Sequence, residues 1–492
     1  MSDKNVVVIG AGLAGLSAAA LLAHKGFHVD VVEKNDTPGG VARKFEINGF
    51  TFDMGPTWYL MPEVFRSYFS IFGKKPEDFF DLTKIDPSYK VFFEEGGQAL
   101  VRPDMEHNRQ VFETLEEKGA AKLDAYLDAA HYKYTTAMSE FLYRDYTSLF
   151  DFFNKKMLLE GTRLHVFQKL DRYVKRFFKN PNARKILEYN IVFLGCSPYR
   201  SPALYSLMSH VDLTAGVYYP AGGIYSLVDA LYTLGKERGV SFHFGEEVES
   251  IQVVKKESTG VHLKNKFMPA DIVLSAIDYH HTETELLSPL YRSYGRRYWK
   301  SRVMAPSAFI IMLGIDKKLQ SLEHHNLFLS EDWKMHFDQI FDDPQWPANP
   351  SFYVGCPSKS DDSIAPNGCE NLFILVPVAP DLDDPGDLRE KFANAILEKL
   401  EKYTGESLRE HILVKEIIAH RDFRDANNLF RGSALGLAHT LMQTAVFRPA
   451  RKSKKVKNLY YTGHYTHPGI GMPMVFISSE VTVNRIVKEM NG

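Results

Sequence analysis

The chain has 492 residues, with 59 Lys and Arg set against 61 Asp and Glu for a formal charge of −2. That balance gives no overall field to draw nucleic acid, so no nucleic-acid partner is expected and any charged partner must be met by a local patch. The length fits roughly two to three domains. The three cysteines, Cys196, Cys356 and Cys369, form neither a C-x-x-C pair nor a metal-ligand cluster, so no metal is expected and the thiols fit a reducing compartment.

Met-Ser-Asp-Lys passes directly into an apolar run, leaving no room for a basic n-region and a cleavage site, and the expected location is the cytoplasm. The most apolar runs, Ala305 to Ile315 and Leu372 to Ala379, are shorter than the ~18–20 residues of a spanning helix. Membrane contact, if any, is expected to be peripheral. The 34 Phe and 25 Tyr suit a large apolar channel and equally suit a bulky core.

Val6-Val7-Val8-Ile9 reads as a strand, Gly10-Ala-Gly12-Leu-Ala14-Gly15 as a glycine turn, Leu16 to His24 as a helix ended by Gly26, and Val29 to Val32 as a second strand. This spacing has a mechanical purpose. Gly10 allows the tight turn, Gly12 lets the backbone approach a pyrophosphate, and Gly15 lets helix and strand pack closely. The helix N-terminus then faces the phosphates. Glu33, 18 residues past Gly15, is placed to accept hydrogen bonds from a ribose 2′-OH, and an acid there argues against a 2′-phosphate. The plain alternative is a βαβ turn that binds nothing.

Pro38-Gly39-Gly40-Val41 and Gly55-Pro56-Thr57 add glycine turns after this unit. They can bring further backbone N–H groups to a phosphate, and Arg43 is a candidate partner for the pyrophosphate. Residues 61 to 149 read as mostly helical. Between Asp151 and Asn180 basic residues (Lys155, Lys156, Arg163, Lys169, Arg172, Lys175, Arg176 and Lys179) alternate with apolar ones, among them Phe152, Phe153, Leu158, Leu159, Phe167, Leu170, Tyr173, Phe177 and Phe178. Such a stretch fits either a membrane interface, with the aromatics at the acyl boundary, or a solvated face over a core.

Alternating α/β character returns with Tyr218-Tyr-Pro-Ala-Gly222-Gly223, a helix over Ile224 to Lys236, strands near Val240 and Val248, and a buried strand within Ala270 to Asp278. Residues 291 to 445 mix strands and helices. The last motif, Asn458-Leu-Tyr-Tyr-Thr-Gly463-His464-Tyr465-Thr-His467-Pro468-Gly469-Ile-Gly471-Met472-Pro473, ends a strand, turns on glycines and opens a helix from Met474 to Met490.

The segment from Gly10 to Thr57, Gly-Phe-Thr-Phe-Asp at 49–53, Tyr-Pro-Ala-Gly-Gly at 219–223, Phe-Arg-Pro at 447–449 and the C-terminal motif together resemble the bacterial-type carotenoid desaturases of the flavoprotein amine oxidase superfamily. The resemblance covers nearly the whole chain. It implies an α/β, Rossmann-like three-layer FAD-binding domain assembled from residues 1–65, 218–290 and 446–492. It implies also an inserted α+β substrate domain from 66–150 and 291–445, and a helical membrane-contact region over 151–217.

The implied cofactor contacts are Gly10, Gly12, Ala14, Gly15, Glu33, Lys34, Gly40, Val41, Arg43, Gly55, Pro56, Thr57, Val248 at the adenine, and Gly463, His464, Gly471 and Met472 at the flavin loop. Val41 stands where the family places Arg or Lys, with Arg43 two residues on. His464-Tyr465 and Ile470 replace small residues.

His467 is the candidate base, against a structural role beside the flavin loop. The implied reaction is desaturation of a carotenoid, with a lean toward hydroxycarotenoid 3,4-desaturation over phytoene or other acyclic carotene desaturation. The implied electron acceptor is oxygen or a membrane quinone, since no second dinucleotide fingerprint is present. Rival readings are a carotenoid isomerase, an amine oxidase, or a non-catalytic prenyl-protein escort.

Overall fold

The computed structural model describes residues 4–146, 161 and 163–491, the last without its side chain. Its first element is a five-stranded, all-parallel sheet. β1 (Asn5–Ile9) lies at the centre, flanked by β2 (His28–Val32) and Ile272–Ser275, with Ser241–His243 and Leu459–Tyr461 at the edges. Parallel strands buried on both faces need continuous apolar runs, which Val6 to Ile9 and Ile272 to Leu274 supply.

The side chains of β1 alternate between two cores. Val6 and Val8 pack with Ala18, Ala19 and Leu22 of helix α1 (Leu13–His24). Val7 and Ile9 pack with Ile251, Val261 and Leu263 of a three-stranded antiparallel sheet. The layering is therefore helix, parallel sheet, antiparallel sheet. α1 is buried along its whole length from Leu13 to Leu22 because helices Met472–Asn491 and Tyr225–Glu237 cover its outer side. Each fully buried Leu or Val there contributes about 1.5–3 kcal/mol.

A seven-stranded sheet forms the second layered body. Its order is Ile412–Ile418, Ser307–Ile315, Glu370–Val378, Phe352–Gly355, His325–Leu329, Tyr89–Phe93 and Gln98–Val101. Every described pairing in it is antiparallel except that of His325–Leu329 with Tyr89–Phe93. The strands near residue 90 correct the helical expectation for 61–149: helix Pro62–Ser70 is followed by strands Leu82–Lys84, Tyr89–Phe93 and Gln98–Val101, and only then by helices from Met105 onward. Tyr-Lys-Val-Phe-Phe is a short aromatic and β-branched run that turns on Gly96-Gly97, both at positive φ, and pairing in a sheet outweighs helix propensity there.

Two of the motifs prove to be partners. The Asp53 carboxylate accepts hydrogen bonds from the Ile224 and Tyr225 N–H groups at 2.8 and 3.1 Å, at the start of helix Tyr225–Glu237. A Cβ on Gly223 would fall 2.7 Å from Asp53 Oδ2. Gly-Phe-Thr-Phe-Asp and Tyr-Pro-Ala-Gly-Gly thus form one joint between distant segments.

Within the basic stretch, Leu170, Tyr173 and Phe178 are buried in the main core, which corrects their expected place at an acyl boundary. Arg163, Lys169, Arg172, Lys175, Arg176 and Lys179 face solvent, and Phe167 is 83% exposed. Phe152, Phe153, Lys155, Lys156, Leu158 and Leu159 lie outside the described residues.

Candidate functional site

The glycine turn between β1 and α1 is shaped by sterics. Gly10 sits at φ +97°, and a Cβ on Gly15 would fall 1.9 Å from the Gly10 carbonyl oxygen. Gly12 caps α1 without any side-chain acceptor, so the first-turn N–H groups stay available to an anion. Glu33 ends β2 with its side chain fixed. Its Oε2 accepts from the Ala11 N–H at 2.8 Å, and its Oε1 accepts from the Asn35 backbone N–H at 2.9 Å and the Asn35 amide at 2.8 Å. A carboxylate held by three donors is pre-oriented, and Glu33 lines the same cavity as the helix N-terminus.

The second glycine turn docks on the first: the Gly39 N–H donates to the Ala11 carbonyl at 2.8 Å, and a Cβ on Gly40 would meet Gly12 Cα at 3.3 Å. Gly40, Val41, Gly55, Pro56 and Thr57 all line the cavity. Arg43 does not. Its Nε donates to the Gly40 carbonyl at 3.0 Å, bracing the turn. Lys34 reaches the cavity wall while its Nζ donates to the Asp425 carbonyl and Asn428 Oδ1, tying β2 to the helix His420–Asn427. Val248 lines the same end, where the Glu246 N–H donates to the Glu33 carbonyl and a register shift opens between Val248 and Ser250.

The C-terminal motif closes the cavity from the other side. Helix Met472–Asn491 starts at its edge and packs along α1, with Ser17 Oγ donating to Ser479 Oγ at 2.8 Å and Ser479 Oγ to the Ala14 carbonyl at 3.1 Å. Two helix N-termini therefore converge on one space, each carrying a partial positive charge. Gly471 and Met472 line it, as do Ala14 and His464. Gly463 and Gly15 stand behind the wall, where a Cβ on Gly463 would press on Ala14 Cβ at 3.3 Å.

The loop before that helix is held by two buried arginines that motif reading overlooked. Arg448 donates to the carbonyls of Tyr465, Gln443, Leu437 and His464. Burial pulls its pKa down to about 10, which leaves it protonated at neutral pH. Arg451 donates to the His467 carbonyl and Thr482 Oγ1 and pairs with Asp145 at 2.8 Å. The signal was Phe447-Arg-Pro-Ala-Arg451, whose partners lie too far along the chain for spacing to reveal.

The departures at 464–465 also have a physical reason. The Tyr465 hydroxyl donates to Asp278 Oδ2 at 2.8 Å, anchoring the loop to the end of the central sheet, and His464 fills the space beside Gly436, where a Cβ would come within 2.6 Å of its ring. Burial pulls His464 down to about 4. His467 is buried, with Nε2 3.0 Å from the Phe141 carbonyl. Burial first, and Arg451 next, pull its pKa down to about 3, so it is neutral across the physiological range and Nε2 carries the proton that the carbonyl accepts.

These walls enclose one continuous cavity of about 700 Å³. It is lined by Gly10, Glu33, Thr57, His467 and Gly471, by Leu327, Leu329 and Leu375 of the seven-stranded sheet, by Phe193, Leu207 and Met208, and by Phe167, Leu441 and Met442. Its acidic lining residues, Glu33, Glu246, Glu247 and Asp278, all sit at the glycine-turn end, and the remainder is predominantly apolar. The glycine cradle, the uncapped helix and the oriented Glu33 fit a dinucleotide. The apolar reach beyond them fits a long nonpolar substrate.

Fold and site together define a dinucleotide-dependent oxidoreductase. The flavin containing amine oxidoreductase family matches residues 13–487, and the chain belongs to that family, with FAD as its cofactor. It is 42% identical over 491 residues to a carotenoid 3,4-desaturase of Haloarcula japonica, covering 100% of this chain and 99% of the relative. It is 35% identical to a zeta-carotene-forming phytoene desaturase of Myxococcus xanthus, covering 98% and 94%. Among solved structures, putrescine oxidase bound to putrescine superposes with a TM-score of 0.65 at 13% identity, covering 99% of each chain. An oxidoreductase from Methanosarcina mazei gives 0.64 at 17%, covering 98% of this chain and 100% of the other. Those two structural likenesses speak to the fold alone.

Proposed function

We propose that the protein is an FAD-dependent carotenoid desaturase that introduces carbon–carbon double bonds into a long polyene, with 3,4-desaturation of a hydroxycarotenoid as its reaction. The observation that carries this reading is the continuous cavity, which joins a nucleotide cradle to a long apolar passage with an exposed apolar mouth. Identity to a carotenoid 3,4-desaturase along the whole chain supports it. Phytoene or other acyclic carotene desaturation is the second reading, favoured by the Myxococcus relative.

Bound FAD supplies the hydride acceptor. The chain's own residues do the rest. A polyene C–H bond offers little polarity, so rate comes from holding the reacting carbons in a dry, oriented passage. The leucines of the seven-stranded sheet and the apolar side chains of Phe193, Leu207 and Met208 provide that passage. His467, neutral and held by Phe141, positions the loop that shapes the passage.

In this reading residues 1–65, 218–290 and 446–492 form the cofactor domain, and 66–150 with 291–445 the substrate domain. Electrons leave to oxygen or a membrane quinone, and the mouth at Phe167 and Met442 meets a membrane surface.

The test is to produce the protein in cells supplied with one carotenoid at a time and to separate the pigments. The expected product absorbs to the red of its precursor and has lost two hydrogens per step. Oxidation of amines with all carotenoids untouched overturns the proposal.

A further inference from the structure

The chain is almost neutral overall, yet acids are missing from two long segments. No Asp or Glu occurs between Glu285 and Asp316, and none between Asp425 and Glu480. The fold lays these two segments side by side. Lys455 Nζ donates to the Leu290 carbonyl at 3.3 Å, the Lys454 N–H to Ser293 Oγ at 3.0 Å, the Ala450 N–H to the Tyr294 hydroxyl at 2.9 Å and the Val303 N–H to Gln443 Oε1 at 2.9 Å. The seam therefore ends beside Leu441 and Met442, which are exposed and also line the cavity.

Burial decides what this flank shows to solvent. Trp299, wholly buried, packs on Tyr279 and Tyr294 and pins the inner side of the short helix Arg296–Lys300. Arg296, Arg297 and Lys300 are left exposed, as are Lys454 and Lys455, and none of the five forms an ion pair among the described residues. Glu283 is buried and takes the Ser293 and Tyr294 N–H groups, while Glu257 and Glu489 pair with Lys457 and Lys452, so these acids are already engaged. Leu290 stands 69% exposed at the Lys455 end of the seam.

We propose that this flank is a docking surface for an anionic lipid bilayer. Cations without a counter-charge gain most beside a surface of fixed negative charge, and a chain of balanced total charge confines that gain to the patch. Charge by itself fits any polyanion, and the aliphatic side chains point to lipid. Leu290 at one end and Leu441 and Met442 at the other can enter the acyl boundary while the Arg and Lys heads stay among the phosphates. The half-buried Tyr291 and Tyr298 suit the level between them. The proposal rests on the membrane reading above and deepens it, placing a contact on residues far along the chain from the basic stretch at 163–179.

The experiment measures co-sedimentation of the FAD-loaded full chain with phosphatidylcholine vesicles made with and without phosphatidylglycerol. The variants are the triple reversal R296E, R297E and K454E, its neutral counterpart R296Q, R297Q and K454Q, and L290W, all at exposed positions that leave Trp299 in place. The parent is expected to prefer the anionic vesicles, and the triple reversal to weaken that binding at least about tenfold with flavin content unchanged. The emission that L290W adds to the parent's is expected to shift to the blue on anionic vesicles and to be quenched by brominated acyl chains. If the reversed chain does not fold, the neutral variant decides by the same loss.

Binding by the folded variant equal to that of the parent overturns the inference and leaves the membrane reading to the basic stretch. A parent that binds neither kind of vesicle overturns both. If L290W emission stays unchanged on vesicles, or polyglutamate or duplex DNA is held as tightly as the anionic bilayer, the flank serves an acidic macromolecule and the inference fails.

Discussion

Glu33 carries more than the ribose contact expected of an acid at the end of β2. Its two oxygens also take N–H groups from Ala11, inside the glycine turn, and from Asn35 beyond the strand. Glu33→Ala therefore removes the proposed ribose acceptor and leaves the Ala11 donor of the glycine turn and the Asn35 donors without their partner. Each lost charge-assisted bond costs about 1.5–3 kcal/mol. The variant is expected to bind FAD at least tenfold more weakly, with Glu33→Gln intermediate, as read by flavin fluorescence in a titration of apoprotein. Unchanged affinity removes Glu33 from the site. Arg448 shows the converse at the same scale: nothing in Phe-Arg-Pro identifies a guanidinium that holds four carbonyls, because its acceptors come from 437 to 465 and meet only when the loop has folded.

At the scale of elements, the C-terminal helix Met472–Asn491 brings its N-terminus to the cavity and anchors its far end through Glu489. That carboxylate accepts from Tyr460 OH at 2.6 Å and Arg485 Nε at 2.9 Å, and it is paired with Lys452. These bonds hold its pKa at about 2, below the ordinary 4.5. A folded-state pKa lowered in this way stabilises the fold fully above the unfolded value and loses that contribution as pH falls from about 4.5 toward 2. Glu489→Gln is expected to lower the Tm at pH 7, and its gap from the wild type should close as thermal scans move from pH 5 to pH 2.5. A gap that persists at low pH refutes the ionic anchor.

The elements built from strong local signals, the turn at Gly10 to Gly15, α1 and the loop at Gly463 to Gly471, were all legible in the sequence. The hairpin at 89–101 was not, although Gly96-Gly97 marked its turn, because its aromatic run fits a buried helix as well as a strand until a sheet is there to receive it.

At the scale of the whole molecule, the cavity is lined within the basic stretch by Phe167. Phe167 and Met442, 83% and 61% exposed, rim the mouth, and Arg172, Lys175 and Arg176 face solvent nearby in sequence. Among the described residues no helix is long and apolar enough to cross a membrane. A lipid surface met at this rim would deliver a nonpolar substrate directly into the passage. Reversing Lys155, Lys156, Arg172 and Lys175 to Glu is expected to weaken co-sedimentation with anionic vesicles, each basic residue near the surface being worth about 1 kcal/mol. Co-sedimentation equal to that of the parent assigns the charges to a solvated face.

The sequence by itself determined the nucleotide cradle, the family likeness and the glycine loop, because a tight turn, a close helix–strand approach and a helix start are properties of a few adjacent residues. Tertiary structure alone decided which aromatics of the basic stretch enter the core, that Arg43 braces a turn, and that Trp58 and Tyr353 share one wall. Those outcomes depend on burial, on which way a side chain turns and on contacts between residues as far apart as 58 and 353, and such choices leave no periodic trace along the chain.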